Sequence, residues 1–331
     1  MPHNGQPPLL IEQPTNQPLL DVRDLKVEYL TQRGPVRAVE QVSFTLKAGE
    51  VVGLAGESGS GKSTIAHTLL RILPPPALIT GGQILFGDQD VLKMSMHELE
   101  QFRWRSISIV FQSAMNALNP VMRIRDQLLD VMQHHGLTAA ESNQRAVQLF
   151  DLVGIEQQRL DAYPHQLSGG MRQRAVIAIA LALDPPLLIM DEPTTALDVV
   201  VQKDILRQIA SLREKLGFSI LFITHDLSLL VEFATRIAIM YAGEIVEKAP
   251  SRELFERPLH PYTIGLMNSF PSISGEKKKL IGIPGAPPDL AAPPAGCRFH
   301  PRCARAMPVC SQVVPRTSMV SAGHTVACHL F

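Results

Sequence analysis

The sequence predicts an α/β fold built on a parallel sheet, because short apolar runs each end at a polar or glycine-rich turn. These runs are "VVGLAG" at 51–56, "LLIM" at 187–190 and "SILFIT" at 219–224. Continuous apolar runs are typical of parallel strands buried on both faces, whose carboxyl ends lie at one edge of the sheet. Helical stretches near 96–104, 123–135 and 139–153 predict a helical insertion between the first two strands.

The bulk composition indicates an ordinary globular protein with no overall attraction for nucleic acid. The 331 residues include 31 Lys and Arg against 31 Asp and Glu, so the formal net charge is zero. We therefore expect no nucleic-acid partner. The chain lacks an apolar run of about 18 residues and a signal-peptide pattern, so we expect a soluble, cytoplasmic chain. Prolines and amides predict a flexible tail over 1–18.

The strongest motif follows the first apolar run, in "GESGSGKST" at 56–64. Its glycines allow backbone N–H groups to surround phosphates, and the helix that follows adds partial positive charge. Lys62 is expected to contact the β- and γ-phosphates, and the Ser63 hydroxyl to bind Mg²⁺. The motif predicts a nucleoside-triphosphate site formed by Gly56, Ser58, Gly59, Gly61, Lys62, Ser63 and Thr64.

Two adjacent carboxylates follow the second apolar run. We expect Asp191 to hold Mg²⁺, through water, and Glu192 to polarise the attacking water, since one carboxylate cannot do both. Standing alone, such a pair could equally be a solvated turn. The third run leads to His225, which would point at the γ-phosphate if the three strands are parallel.

A second glycine turn opens a helix in "LSGGMRQRAVIAIALAL". Ser168, Gly169 and Gly170 would form another anion-binding helix N-terminus. Since the chain has one phosphate loop but two such helix ends, we expect the second end to serve a nucleotide bound by another subunit.

Over residues 19–331 these motifs resemble the ATP-binding-cassette (ABC) ATPases. "GESGSGKST" is similar to the Walker A motif, "LLIMDE" to Walker B, and "LSGGM" to the signature, with Met171 in place of the commoner Gln. "TALD", ending at Asp198, resembles the D-loop. The resemblance assigns Gln112 to the Q-loop and the Mg²⁺ site, His225 to the switch histidine, and Tyr29 to adenine stacking. A tyrosine at position 29 could instead serve sheet packing.

The resemblance implies ATP and Mg²⁺ as cofactors and a head-to-tail dimer, with each ATP between one Walker A and the other subunit's signature. It also implies a nucleotide-binding domain at 19–255, with an antiparallel β subdomain and a helical subdomain at about 113–170. Glu192, His225 and Gln112 would be its catalytic residues. The N-K-x-D motif of GTPases does not occur in the sequence. A non-transport cassette protein usually has two cassettes in one chain or a long coiled coil, and the sequence shows neither feature.

Residues 256–331 are rich in proline and predict a small, loop-rich domain rather than more of the sheet. "HPYT" at 260–263 and the C-x5-C-x6-C-x17-C pattern resemble the C-terminal region of oligopeptide/dipeptide importer ATPases. This resemblance implies an ATPase at the cytoplasmic face of the membrane, with a sister ATPase or a second copy of itself. Two permease subunits and an extracytoplasmic binding protein would complete the importer. Relatives that serve nickel, oligosaccharides or other solutes leave the cargo open.

The four cysteines admit several interpretations: inert thiols, a disulfide pair, a zinc site or an iron–sulfur centre. Tight C-x₂₋₄-C pairs, common at zinc sites, are absent from the sequence, and disulfides are uncommon in a reducing cytoplasm. The family resemblance favours a structural [4Fe–4S] cluster on Cys297, Cys303, Cys310 and Cys328. Nearby arginines at 298, 302 and 305 would either offset its charge or form a solvated basic face.

Overall fold

The computed structural model describes residues 17–112, 117–194, 198–269 and 282–331. Of the predicted tail, only residues 17 and 18 fall within these ranges. The strands are Leu20–Thr31 (β1), Gly34–Leu46 (β2), Val51–Ala55 (β3), Ala77–Phe86 (β4), Gln89–Asp90 (β5), Ile107–Val110 (β6), Leu187–Asp191 (β7), Ser219–Thr224 (β8), Arg236–Tyr241 (β9), Glu244–Pro250 (β10), Thr317–Ser321 (β11) and His324–Ala327 (β12). The helices are Lys62–Leu69 (α1), Met96–Arg105 (α2), Ile124–His134 (α3), Ala139–Leu152 (α4), Gly169–Ala180 (α5), Val199–Leu216 (α6), Leu227–Phe233 (α7), Ser251–Glu256 (α8) and Pro261–Asn268 (α9).

The larger sheet contains the three strands that the sequence predicts. Its strand order is β11-β12-β10-β9-β3-β8-β7-β6, and the five strands from β9 to β6 run parallel. Every residue of β3, β7 and β8 is buried, which explains their continuous apolar character. The prediction of a parallel α/β sheet is therefore confirmed, and the ends of β3, β8 and β7 lie at one edge.

The smaller sheet is antiparallel, with the order β2-β1-β4-β5. One hydrophobic core joins it to the larger sheet through α1. This core includes Val27 of β1, Ile65 and Leu69 of α1, and Leu54 and Ile223 of the larger sheet. All five side chains are almost completely buried. The expected antiparallel subdomain is thus present, and it holds α1 against the parallel sheet.

Two of the predicted helical stretches lie between β6 and β7, where α3 and α4 pack against each other. Leu128 of α3 and Phe150 of α4 share a core with Ala175 of α5. The third stretch, α2, does not join them, because its Phe102 packs edge-on against Phe86 of β4, with ring centroids 5.2 Å apart. None of the helices within the described ranges is both long and apolar enough to cross a membrane.

The C-terminal segment differs from the prediction, because its last strands extend the larger sheet. β12 pairs with β10 through Glu247↔Val326 and Lys248↔Thr325, and β11 pairs with β12. Residues 297–312 are irregular, as expected, with short 3₁₀ turns. The hairpin was missed because β11 is mostly exposed and polar, so that its sequence carries little hydrophobic alternation.

A buried carboxylate fastens this hairpin to the rest of the molecule. The Glu247 carboxylate accepts hydrogen bonds from the backbone N–H groups of Leu259 (2.8 Å) and His260 (2.9 Å), and it lies 2.8 Å from His324 Nε2. Because Glu247 is 1% exposed, its carboxylate depends on these partners in place of water.

We expect Glu247→Ala to lower the free energy of unfolding by about 3–5 kcal/mol, since it leaves buried partners unpaired. Thermal and denaturant unfolding of the full chain would measure this. Glu256→Ala is the matched control, because the exposed Glu256 pairs with the exposed Arg252 and its loss should not shift the transition. Equal stability of the two variants would contradict the prediction.

Candidate nucleotide-binding site

The phosphate loop joins β3 to α1 and requires glycine at two positions. Gly56 has a φ of +152°, and a Cβ there would lie 2.1 Å from the Met240 carbonyl oxygen. Gly61 has a φ of +102°, and its Cβ would lie 2.2 Å from the Ala38 carbonyl oxygen. Gly61 is also the N-cap residue of α1. Because glycine has no side chain, Gly61 offers no side-chain acceptor to the N–H groups of the first helical turn.

Lys62 lies over this loop. Its Nζ donates to the backbone carbonyls of Gly56 (2.8 Å) and Glu57 (2.9 Å), and the residue is 5% exposed. Burial lowers the pKa of Lys62, while the nearby carboxylates of Glu192, Asp191 and Glu57 act in the opposite direction. A buried ammonium ion beside a helix N-terminus is the chemistry that a phosphate requires.

The sequence-predicted magnesium residues meet directly. Ser63 Oγ donates to Asp191 Oδ1 over 3.0 Å, although the two residues lie on different elements. Asp191 is 2% exposed, and burial raises its pKa, partly offset by the Ser63 hydrogen bond. Hydroxyl and carboxylate oxygens are ligands that Mg²⁺ prefers, so this pair fits the ion.

The three predicted catalytic residues gather around one carboxylate. Gln112 Nε2 donates to Glu192 Oε2 over 2.8 Å, and His225 Nδ1 lies 3.3 Å from Glu192 Oε1. Glu192 has a φ of +46°, an uncommon conformation for a residue with a side chain and one that often occurs at functional sites. The arrangement would let Glu192 orient a water while Gln112 and His225 hold its carboxylate. Gln112 therefore contacts Glu192 here, whereas the sequence also predicted it as a Mg²⁺ ligand.

Other predicted residues lie at helix ends or at the rim. Ser168 Oγ accepts a hydrogen bond from the Met171 N–H (3.3 Å) and caps α5, whose first residues are Gly169 and Gly170. Asp198 caps α6 by accepting from the N–H groups of Val200 and Val201. No hydrogen bond or ion pair between described residues joins Ser168 or Asp198 to the phosphate loop.

Tyr29 lies beside the phosphate helix, with its hydroxyl 3.5 Å from Thr64 Oγ1. Ser58 and Gly59 line a pocket together with Pro287 and Pro288. Residues 195–197 of the predicted D-loop and 113–116 after Gln112 lie outside the described residues.

The four cysteines line a single pocket, together with His260 and other residues. All four are free thiols, so the structure shows no disulfide among them. Burial raises the pKa of Cys297 to about 11 and also raises the pKa values of Cys303 and Cys328. Throughout the described ranges, no group of three or more His, Cys, Asp or Glu residues is arranged to hold a single metal ion.

For two arginines of the cysteine segment, one of the two alternatives offered by the sequence is wrong. Neither Arg298 nor Arg302 lies on a solvated basic face: they are 6% and 9% exposed and pair with Glu244 and Glu57. Glu57 belongs to the phosphate loop. The sequence analysis did not identify Glu57 as a functional residue, because its partner Arg302 lies far away in the chain. The only available signal was that Glu57 is an acidic residue within the phosphate loop.

Comparison with known families agrees with this geometry. Residues 39–195 match the ABC transporter family, and residues 246–310 match the oligopeptide/dipeptide transporter C-terminal region. The chain is 43% identical to the oligopeptide transport ATP-binding protein OppD of Salmonella typhimurium, covering 96% of this chain and 94% of that protein. It is 40% identical to the dipeptide transport ATP-binding protein DppD of Caldanaerobacter subterraneus, covering 95% and 97%.

Solved structures give the same result for the cassette. A dimeric ATP-binding cassette in a post-hydrolysis state, bound to ADP and Pi, is similar with a TM-score of 0.63 and 27% identity, over 70% of this chain and 99% of that one. CbiO1 of Clostridium perfringens, part of an ABC transporter complex, has a TM-score of 0.64 and 27% identity, over 72% and 91%. The chain therefore belongs to the ABC transporter ATP-binding proteins, in the group that carries the oligopeptide/dipeptide transporter C-terminal region.

Proposed function

We propose that this protein hydrolyses ATP to drive the import of di- and oligopeptides. The observation that carries the ATPase is the grouping of Gln112 and His225 around Glu192, beside the Ser63–Asp191 pair. The peptide cargo is supported by the relatives named for oligopeptide and dipeptide transport and by the match of the C-terminal region.

In this mechanism Lys62 and the phosphate loop would bind the β- and γ-phosphates, and Ser63 and Asp191 would hold Mg²⁺. When bound, Mg²⁺ would neutralise charge on the triphosphate. Glu192 orients the attacking water and accepts its proton, and His225 lies close enough to hold the Glu192 carboxylate in place. Tyr29, close to Thr64, would stack on the adenine.

A second cassette completes the site. Ser168, Gly169, Gly170 and Asp198 have no described contact with their own phosphate loop, while the α5 N-terminus suits an anion. We propose that they contact ATP bound by another ATPase subunit, which would be a sister protein or a second copy. The similar cassette solved as a dimer supports this arrangement.

We expect Glu192→Gln to lower the rate of multiple-turnover ATP hydrolysis by at least about 100-fold, because the amide cannot accept a proton. ATP binding should persist. Phosphate release and equilibrium ATP binding, measured on the same preparation, separate the two effects. Glu214→Gln, on the exposed face of α6, is the matched control and should hydrolyse ATP at the parent rate. Turnover at the parent rate in Glu192→Gln would remove the assignment of the base.

We further propose that the chain works at the cytoplasmic face of the membrane, bound to two permease subunits and supplied by an extracytoplasmic binding protein. The domain division would be 19–255 for the nucleotide-binding domain, with its helical subdomain at about 113–170, and 256–331 for the C-terminal domain. Membership in a transporter family supports these partners.

The cargo is tested with the chain reconstituted in vesicles with its permeases and binding protein. We expect dipeptides or oligopeptides to stimulate ATP hydrolysis and to accumulate inside the vesicles, because coupling links the two processes. Nickel and an oligosaccharide are the comparison cargoes, and transport of either one instead would assign another solute. A chain that fails to co-purify with the permeases in detergent would indicate a non-transport ATPase switch.

The cysteine pocket supports a further cofactor, which we propose to be a [4Fe–4S] cluster on Cys297, Cys303, Cys310 and Cys328. The four thiols line one pocket, and four thiolates commonly hold an iron–sulfur cluster. His260 also lines the pocket, and its buried Nε2 has no hydrogen-bond partner among the described residues. Because its Nδ1 accepts a hydrogen bond from the Tyr262 N–H, the neutral ring has its N–H at Nε2. This N–H could donate a hydrogen bond to an anionic cluster.

After anaerobic purification we expect about four irons and four acid-labile sulfides per chain, because four thiolates hold one such cluster. Iron, sulfide and zinc analysis with an absorbance spectrum would measure this. Cys328→Ser should lose iron, whereas Ser318→Ala, on the neighbouring strand β11, should keep it. Stoichiometric zinc, or no metal at all, would overturn the cluster while leaving the ATPase unaffected.

A further inference from the structure

The C-terminal domain contacts the phosphate loop through one acidic residue. Arg302 Nη1 and Nη2 donate to the two carboxylate oxygens of Glu57, at 2.7 and 3.0 Å. The Glu57 backbone N–H donates to the hydroxyl of Tyr262 on α9, at 2.8 Å. Both the side chain and the backbone of Glu57 are therefore held by residues that follow the cassette in the chain.

Arg302 is itself fixed in place. Its Nε donates to the Pro284 carbonyl (2.8 Å), Nη2 also donates to the Gly285 carbonyl (3.3 Å), and Nη1 lies 3.3 Å from the Tyr241 hydroxyl. The guanidinium group is almost completely buried. A buried, bidentate and pre-oriented arginine holds a carboxylate in a defined position, which an exposed ion pair does not.

Glu57 contacts the lysine of the phosphate loop. Its carbonyl accepts a hydrogen bond from Lys62 Nζ, at 2.9 Å. An unpaired carboxylate in this loop would repel an incoming triphosphate, because both are anionic. The guanidinium of Arg302 cancels that charge.

We propose that Arg302 is a positioning residue for ATP binding: it neutralises Glu57 and fixes the phosphate loop, so that the C-terminal domain sets the affinity of the cassette for ATP. This role rests on ATP binding at the phosphate loop. It does not require the cysteine pocket to hold any particular metal.

Arg298 provides a matched control for the effect of weaker contact between the C-terminal domain and the cassette. It is as buried as Arg302 and lies on the same segment, but its Nε pairs with Glu244 over 2.9 Å and its Nη2 lies 3.7 Å from Glu40. Neither glutamate belongs to the phosphate loop. Loss of Arg298 therefore weakens domain docking without exposing the charge of Glu57.

The test measures the equilibrium Kd for MgATP and the KM and kcat of hydrolysis with the full chain. We expect Arg302→Met to weaken ATP binding about 10-fold or more and to raise KM with kcat changed less than about 3-fold, because a charge-assisted pair in the phosphate loop is lost. Arg298→Met should stay within about 2-fold of the parent. Adding Glu57→Gln to Arg302→Met should restore most of the affinity, since it removes the uncompensated carboxylate.

Thermal unfolding and metal content, measured on every variant, confirm that each one is folded. Should Arg302→Met fail to fold, Arg302→Lys replaces it, with a smaller loss of about 3-fold expected because the charge remains. Equal losses in the Arg302 and Arg298 variants, or no rescue by Glu57→Gln, would overturn the proposal. Absence of ATP binding in the parent chain would instead contradict the nucleotide site itself.

Discussion

The parallel pairing of β3, β8 and β7 is the constraint on which the rest of the structure depends. Backbone hydrogen bonds bring the ends of these strands to one edge of the sheet, so the phosphate loop, Asp191 and His225 meet there. The Ser63–Asp191 contact and the pairing of Glu192 with His225 follow from this register. A shift of β7 by one residue would point Asp191 to the opposite face of the sheet.

Packing around α1 makes that edge rigid. The helix lies between the two sheets, and its Ile65 and Leu69 are completely buried, so the loop before it cannot move without disturbing a shared core. Glycines at positions 56 and 61 allow Met240 and Ala38 to approach the loop more closely than any side chain would permit. The phosphate loop is therefore shaped by its surroundings as well as by its own sequence.

The C-terminal domain packs against the cassette and shares its larger sheet. β12 continues the larger sheet through β10, and the buried Glu247 joins this hairpin to the start of α9. From the same domain, Arg302 and Tyr262 reach the phosphate loop. Buried polar contacts, each of which depends on full pairing, thus add to the apolar packing of Phe299 against Tyr241 and Tyr262.

The parallel strands, the phosphate loop, the acidic pair and the set of four cysteines could all be predicted from the sequence, because each is a local pattern of residue types and spacing. Helices α3 and α4 were predicted to within about one residue, since their apolar periodicity is strong. The tertiary structure alone decided that α2 packs on the antiparallel sheet, that the polar hairpin joins the larger sheet, and that Arg302 pairs with Glu57. These contacts join residues that are distant in the chain, and no local pattern records which distant partner a charged or exposed residue will find.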